Sequence, residues 1–177
     1  IGRDPYAKMN KKLLFLLKNP GGGFNAVLDR LKNARKVSSL EDEFLKLDNK
    51  ISKSVIKSKI HQVEHHRSHM ASAFFASPFE EAAILSIDGS GDFTTTMIGT
   101  GKGNQIHVSD SVDFPHSVGL FYTAFTQLLG FPHYGDEYKV MGLAPYGEPK
   151  YVDKLREVLI FEDDGLFSLD LKYFRSA

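Results

Sequence analysis

Cysteine is absent from the 177 residues, which rules out thiolate nucleophiles, Cys-ligated zinc, iron–sulfur clusters and disulfides and suits a reducing cytoplasm. Net charge is absent as well. Twenty-two basic residues balance 22 acidic ones, so no overall field draws nucleic acid or an anionic membrane. Long apolar runs are missing too. The longest early one, Leu13–Leu17, is bracketed by lysines and is too short for a signal peptide core or a membrane span. No internal repeat or low-complexity linker interrupts the chain. The opening Ile1-Gly-Arg-Asp-Pro has no initiator Met and reads as the end of a strand entering a turn, so upstream strands are expected.

What is present is a core-forming composition, 42% hydrophobic, sufficient for one domain or two small halves. Residues 7–58 read as helical and Lys-rich. Leu13, Leu14, Leu16 and Leu17 make one apolar face, and Phe24, Val27, Leu28 and Leu31 make another beyond Gly21-Gly22-Gly23. Ser38 and Glu41 have capping-box spacing ahead of Phe44, Leu45 and Leu47. Interleaved acids and the lack of aromatic stacking positions make the lysines a solvated face rather than a nucleic-acid groove.

From Ile60 the pattern changes. Lys59–Glu64 reads as a short strand, and His65–Ala76 as a helix stopped at Ser77-Pro78. Ala82–Ile87 reads as a buried strand, Phe93–Gly99 as a Thr-rich one, and Gln105–Phe114 as a third after the Gly101-Lys-Gly-Asn turn. Ser117–Leu129 is an apolar helix ending at Gly130; a helix near Lys150–Leu159 and two short strands about an Asp-Asp-Gly turn follow. The order implies a mixed α/β sheet with flanking helices.

Two features carry chemistry. His65 and His69, at i and i+4, share a helix face with Cβ atoms roughly 5–6 Å apart, near enough for one metal ion. The pair alone fits ordinary polar residues at a helix start better than a metal site. The zinc-protease version needs a glutamate after the first His, and His66 stands there, so a metalloprotease is not indicated. The second feature is Asp88-Gly-Ser-Gly-Asp92. A calcium loop requires Gly at its sixth position and Glu at its twelfth; Phe93 and Gly99 occupy them. Two readings remain: a loop at a strand's carboxyl end whose glycines let backbone N–H groups approach phosphate, or a tight turn with no ligand. Gly99-Thr-Gly-Lys102 lacks Walker A spacing and is a hairpin turn.

Three blocks, EHHRSHMASAFFASPFEEAAILSIDGSGD, FPHSVGLFYTAFTQLLGF and GDEYKVMGLAPYGEP, closely resemble the amino-terminal domain of carbamoyltransferases of the nodulation protein U type. The resemblance spans about Val63 to Tyr151; residues 1–62 fit as a variable helical segment and 152–177 as a continuation. It implies part of an actin/sugar-kinase-like, ribonuclease-H-like fold. It further implies transfer of a carbamoyl group from carbamoyl phosphate, through a carbamoyl adenylate made with ATP by a downstream domain, to a hydroxyl of a small metabolite or sugar. It assigns a divalent metal, iron in the family's usual reading, to His65, His69 and Asp88, with a further carboxylate expected past Ala177. It makes Asp88, Gly89, Ser90, Gly91, Asp92 and Thr94 a phosphate-binding turn and points Lys139 at nucleotide or acceptor. His66 and His116 are candidate proton acceptors, each weighed against a purely structural role. No nucleic acid or membrane partner is expected. Two alternatives stand beside this reading: a tRNA threonylcarbamoyl transferase, which the HHRSH spacing disfavours, and a non-catalytic actin-like nucleotide-binding module, which would not need the histidine pair.

Overall fold

The computed structural model describes residues 4, 6–19, 40–47, 50 and 52–174. The Gly21–Gly23 run, the apolar face from Phe24 to Leu31 and the Ser38 cap lie outside them.

The centre is a three-stranded meander of β1 (Glu81–Gly91), β2 (Thr94–Lys102) and β3 (Gln105–Asp113), in the order β1-β2-β3. Among the described residues every pairing in it is antiparallel, where the sequence suggested a mixed sheet. The reason is local. Both connections are hairpins, and only a crossover would bring strands in parallel. Asp92 and Phe93 turn the first hairpin in left-handed backbone, φ 52° and 83°, and Gly103, φ 57°, turns the second.

Side chains alternate along β1. Ile84 and Ser86 are buried, whereas Leu85 is 60% and Ile87 52% exposed on the opposite face. The expected strand buried on both sides is therefore covered on one side among the described residues. A helix, Met70 and Phe74 of which meet Ile84 and Met97, provides that cover, with Ala82, Ile106 and Val108 at the margins. Glycine at 101 permits the approach, since a Cβ there would stand 2.6 Å from the Phe74 ring.

In chain order the helices are α1 (Met9–Lys18), α2 (Leu40–Leu47), α3 (Lys53–Lys59), α4 (His65–Phe74), α5 (Val118–Leu128), α6 (Glu137–Leu143) and α7 (Val152–Arg156). The covering helix is α4. Lys59 closes α3 rather than opening a strand. Ser52 caps that helix by accepting from Val55 N–H, and Ile56 is buried within it, so the helix runs through Lys59 and only Val63 of the expected strand makes a bridge. α1 likewise departs from expectation. Its leucines at 13, 14 and 17 face solvent, and it docks instead through Phe15, edge-on to Phe93 and Phe114, and through Lys8 and Lys11 on Asp113. The tail forms β4 (Leu159–Phe161) and β5 (Phe167–Leu169) as a hairpin, tied back where Leu169 N–H donates to His116 Nδ1 at 3.0 Å.

Candidate metal centre

The site lies where the first turn of α4 crosses the carboxyl end of β1. α4 begins at His65, so residues 65 and 69 stand on one face a turn apart, and Asp88 follows Ile84 and Ser86 on the covered side of β1. His65 Nε2 lies 2.9 Å from Asp88 Oδ2 and 3.0 Å from His69 Nε2, and His69 Nε2 lies 3.4 Å from the same carboxylate oxygen. Around one ion with metal–ligand lengths of about 2.0–2.2 Å, donors stand roughly 3.0–3.5 Å apart, so the three atoms fit a single cation. Two imidazoles and one carboxylate are a donor set that Fe(II) and Zn(II) accept. Side-chain exposures of 31% for His65, 50% for His69 and 42% for Asp88 leave the centre open to a ligand.

Asp88 is held in its charged form. Partial burial works against the charge. The hydrogen bond from His65, the Gly89 amide on Oδ1 at 2.6 Å and the two neighbouring imidazoles outweigh it and lower the carboxyl from its ordinary value. α5 braces the backbone behind it. Ser117 caps that helix by accepting from Leu120 N–H, and its hydroxyl donates to the Gly89 carbonyl at 2.6 Å. Gly119 then sits so close that a Cβ would stand 2.6 Å from the Asp88 carbonyl. Neither residue was singled out from sequence. The Ser before an apolar helix was the signal that could have found the cap.

The remaining predicted residues divide. Gly89 and Ser90 are half-exposed beside Asp88, though the Gly89 N–H is engaged by Asp88 and its carbonyl by Ser117. Gly91 does not. It is buried beneath α4, and a Cβ there would lie 2.0 Å from His65 Cδ2, so the glycine accommodates an imidazole rather than a phosphate. Asp92 also turns inward, its Oδ2 accepting from Asp4 N–H at 2.7 Å and His65 N–H at 2.9 Å. Thr94 is fully buried, its hydroxyl donating to Asp113 at 3.4 Å. Gly91, Asp92 and Thr94 of the expected phosphate turn are thus engaged within the protein.

His66 is a buried strut rather than an exposed proton acceptor. Its Nε2–H donates to the Thr94 carbonyl at 3.0 Å, which leaves Nδ1 to accept from the Ser86 hydroxyl at 2.8 Å. Burial depresses its basicity, only partly offset by the Thr94 carbonyl, so the ring is held neutral. Both nitrogens are engaged within the protein, and neither faces the site. His116 accepts the Leu169 N–H at Nδ1. Lys139, on α6, pairs with Asp136 at 2.6 Å and lies over the Phe131 and Tyr138 rings; none of its described contacts joins it to Asp88 or the histidines.

Residues 6–177 match the family model described as carbamoyltransferase N-terminus, and the chain belongs to that family of transferases. Among curated proteins it is similar to nodulation protein NolNO of Sinorhizobium fredii, 40% identical over 130 residues, 71% of this chain and 19% of that one. It is similar also to nodulation protein NolO of Bradyrhizobium diazoefficiens, 45% identical over 98 residues, 54% of this chain and 17% of that one. A further relative is the uncharacterized protein sll1178 of Synechocystis, 54% identical over 115 residues, 64% of this chain and 19% of that one. The chain spans about a fifth of the length of these relatives.

Proposed function

We propose that this domain belongs to an O-carbamoyltransferase that takes carbamoyl phosphate and ATP, passes through a carbamoyl adenylate, and carbamoylates a hydroxyl of a small metabolite or sugar. The observation that carries the reading is the convergence of His65, His69 and Asp88 within 4.8 Å of one another in a chain of the carbamoyltransferase family. In this reading the three side chains hold a divalent metal, iron by preference, which supplies Lewis acidity and a fixed positive charge beside the transferring group. Further metal ligation, the adenylate-forming step and the cytoplasmic location belong to the same proposal. So does kinship to the actin/sugar-kinase fold, which the three-stranded meander and its flanking helices suit.

The chain's own residues perform positioning. Acyl-type transfer from a mixed anhydride needs no protein nucleophile: the acceptor oxygen bonds to the carbamoyl carbon, the bond from that carbon to the AMP oxygen breaks, and the acceptor's proton passes to solvent. The half-exposed backbone at Ser90 lies beside Asp88, where its amide would meet phosphate oxygens, while the Gly89 amide holds the Asp88 carboxylate. His66 keeps α4 in register with β1 and β2, so the imidazoles of residues 65 and 69 reach Asp88. No described helix is long and apolar enough to cross a membrane.

The test is isotopic. The intact protein, given labelled carbamoyl phosphate, ATP and a polyol or aminosugar, should form an O-carbamoyl product with release of inorganic phosphate, pyrophosphate and AMP. His65→Ala and His69→Ala should each abolish stoichiometric metal. Asp88→Asn should still consume ATP yet lose transfer. Unchanged metal in both histidine variants, or normal transfer by Asp88→Asn, refutes the assignment.

A further inference from the structure

The helix that carries both imidazoles begins without a cap of its own. Glu64 precedes α4, but its carboxylate accepts from the Arg67 side chain at 3.1 Å and caps no backbone N–H, although the first N–H groups of a helix need acceptors. An acceptor arrives from 27 residues away: Asp92 Oδ2 takes the His65 N–H at 2.9 Å. The same oxygen takes Asp4 N–H at 2.7 Å, 88 residues distant in sequence. One carboxylate oxygen therefore joins the amino-terminal segment, the β1–β2 turn and the metal-bearing helix.

The turn is shaped for this role. Asp92 adopts φ 52°, a left-handed conformation that aspartate tolerates better than most residues and that persists where surroundings fix it. The next residue, Phe93, is also left-handed and packs against Phe15 and Phe114, which anchors the turn from its other side. The residue before, Gly91, lies in contact with the His65 ring. His65 is thus gripped twice, at its ring by Gly91 and at its amide by Asp92.

We infer that Asp92 is a positioning residue for the metal pair: its carboxylate caps α4 at His65 and sets the imidazoles of His65 and His69 against Asp88. The inference deepens the metal-centre reading above and rests on it. What the position requires is an acceptor oxygen, not a charge. An asparagine keeps an amide oxygen able to accept both N–H groups, whereas an alanine keeps none.

The experiment titrates the intact protein with Co(II), reading the visible ligand-field spectrum, and follows amide exchange in the first turn of α4 without metal. Asp92→Ala should weaken Co(II) binding about 10–100-fold, the usual effect of removing an outer partner of a ligand. It should also speed exchange at the start of α4. Asp92→Asn should bind Co(II) within about threefold of the parent and keep the exchange protection. Equal weakening by both variants would show that the charge matters, as for a direct ligand, and would overturn the inference. Parent-like affinity in Asp92→Ala would overturn it too. If the parent binds no Co(II), the metal reading fails by itself. The inference is then decided by exchange: protection lost in the alanine variant alone supports the cap, and unchanged protection in both refutes it.

Discussion

Replacing Gly91 with alanine adds one methyl group at the most crowded point of the site. That carbon would stand 2.0 Å from His65 Cδ2, 2.2 Å from Cγ and 2.6 Å from Cβ, against an ordinary contact of 3.4–4 Å. Rotating the imidazole relieves the first two contacts but not the third, because Cβ moves only with the helix backbone. The first turn of α4 must therefore retreat by about 1 Å, whereas a metal site tolerates ligand displacements of about 0.2 Å. Overpacking of this kind costs roughly 1–3 kcal/mol of stability, which a domain with a normal margin survives. The expected outcome is a folded protein whose affinity for Co(II) or Fe(II) falls at least about 100-fold, at the upper end of what outer-shell changes produce. Metal titration beside a thermal melt measures both quantities. The residue's proximity to the Asp88–Ser90 backbone offers a competing outcome, weakened ATP binding with metal affinity intact. That result would mean Gly91 serves the nucleotide, and it would refute the packing argument.

The other predictions concern the strut beneath the site. His66→Ala leaves the buried Ser86 hydroxyl and Thr94 carbonyl without their partner, at about 1–3 kcal/mol each, and should destabilise the fold by about 3 kcal/mol or more in denaturant unfolding; a loss below about 1 kcal/mol would show that the network relaxes around the gap. Because burial lowers the His66 basicity from its ordinary 6.5, the unfolded chain binds the proton more readily. Stability that is full above 6.5 is therefore lost as pH falls through and below that value toward the folded pKa. Melting temperatures between about pH 8 and about pH 5 should show this slope in the parent and a shallower one in His66→Ala.

Much of this was legible because the signals were local. Turn residues and strand formers marked the three strands, expected at 82–87, 93–99 and 105–114, though not their antiparallel order, and the i, i+4 spacing put His65 and His69 on one face. What escaped the sequence was set by distant contacts. The leucines of α1 form an apolar stripe, yet Phe15 and two lysines do the docking, since the partners that select them, Phe93, Phe114 and Asp113, lie some hundred residues on. The Asp-Gly-Ser-Gly-Asp run reads as a single phosphate loop, but its two carboxylates serve opposite ends: Asp88 faces the imidazoles and Asp92 faces the helix amide. Residue type was right in both cases, and only pairing distinguished them. Gly91 shows the same limit. Its lack of a side chain was noticed, while the group needing the room was not.

The uncovered side of β1 has a practical meaning. Leu85 and Ile87 stand half-exposed on an eleven-residue strand that is the last in its sheet among the described residues. An edge of that length with bulky aliphatic side chains invites a strand from a neighbouring molecule. The expected outcome is self-association through this edge as the protein is concentrated, measured by light scattering. Because the metal donors occupy the reverse face, a charged residue at 85 or 87 offers a route to tractable samples that leaves the three donor atoms untouched.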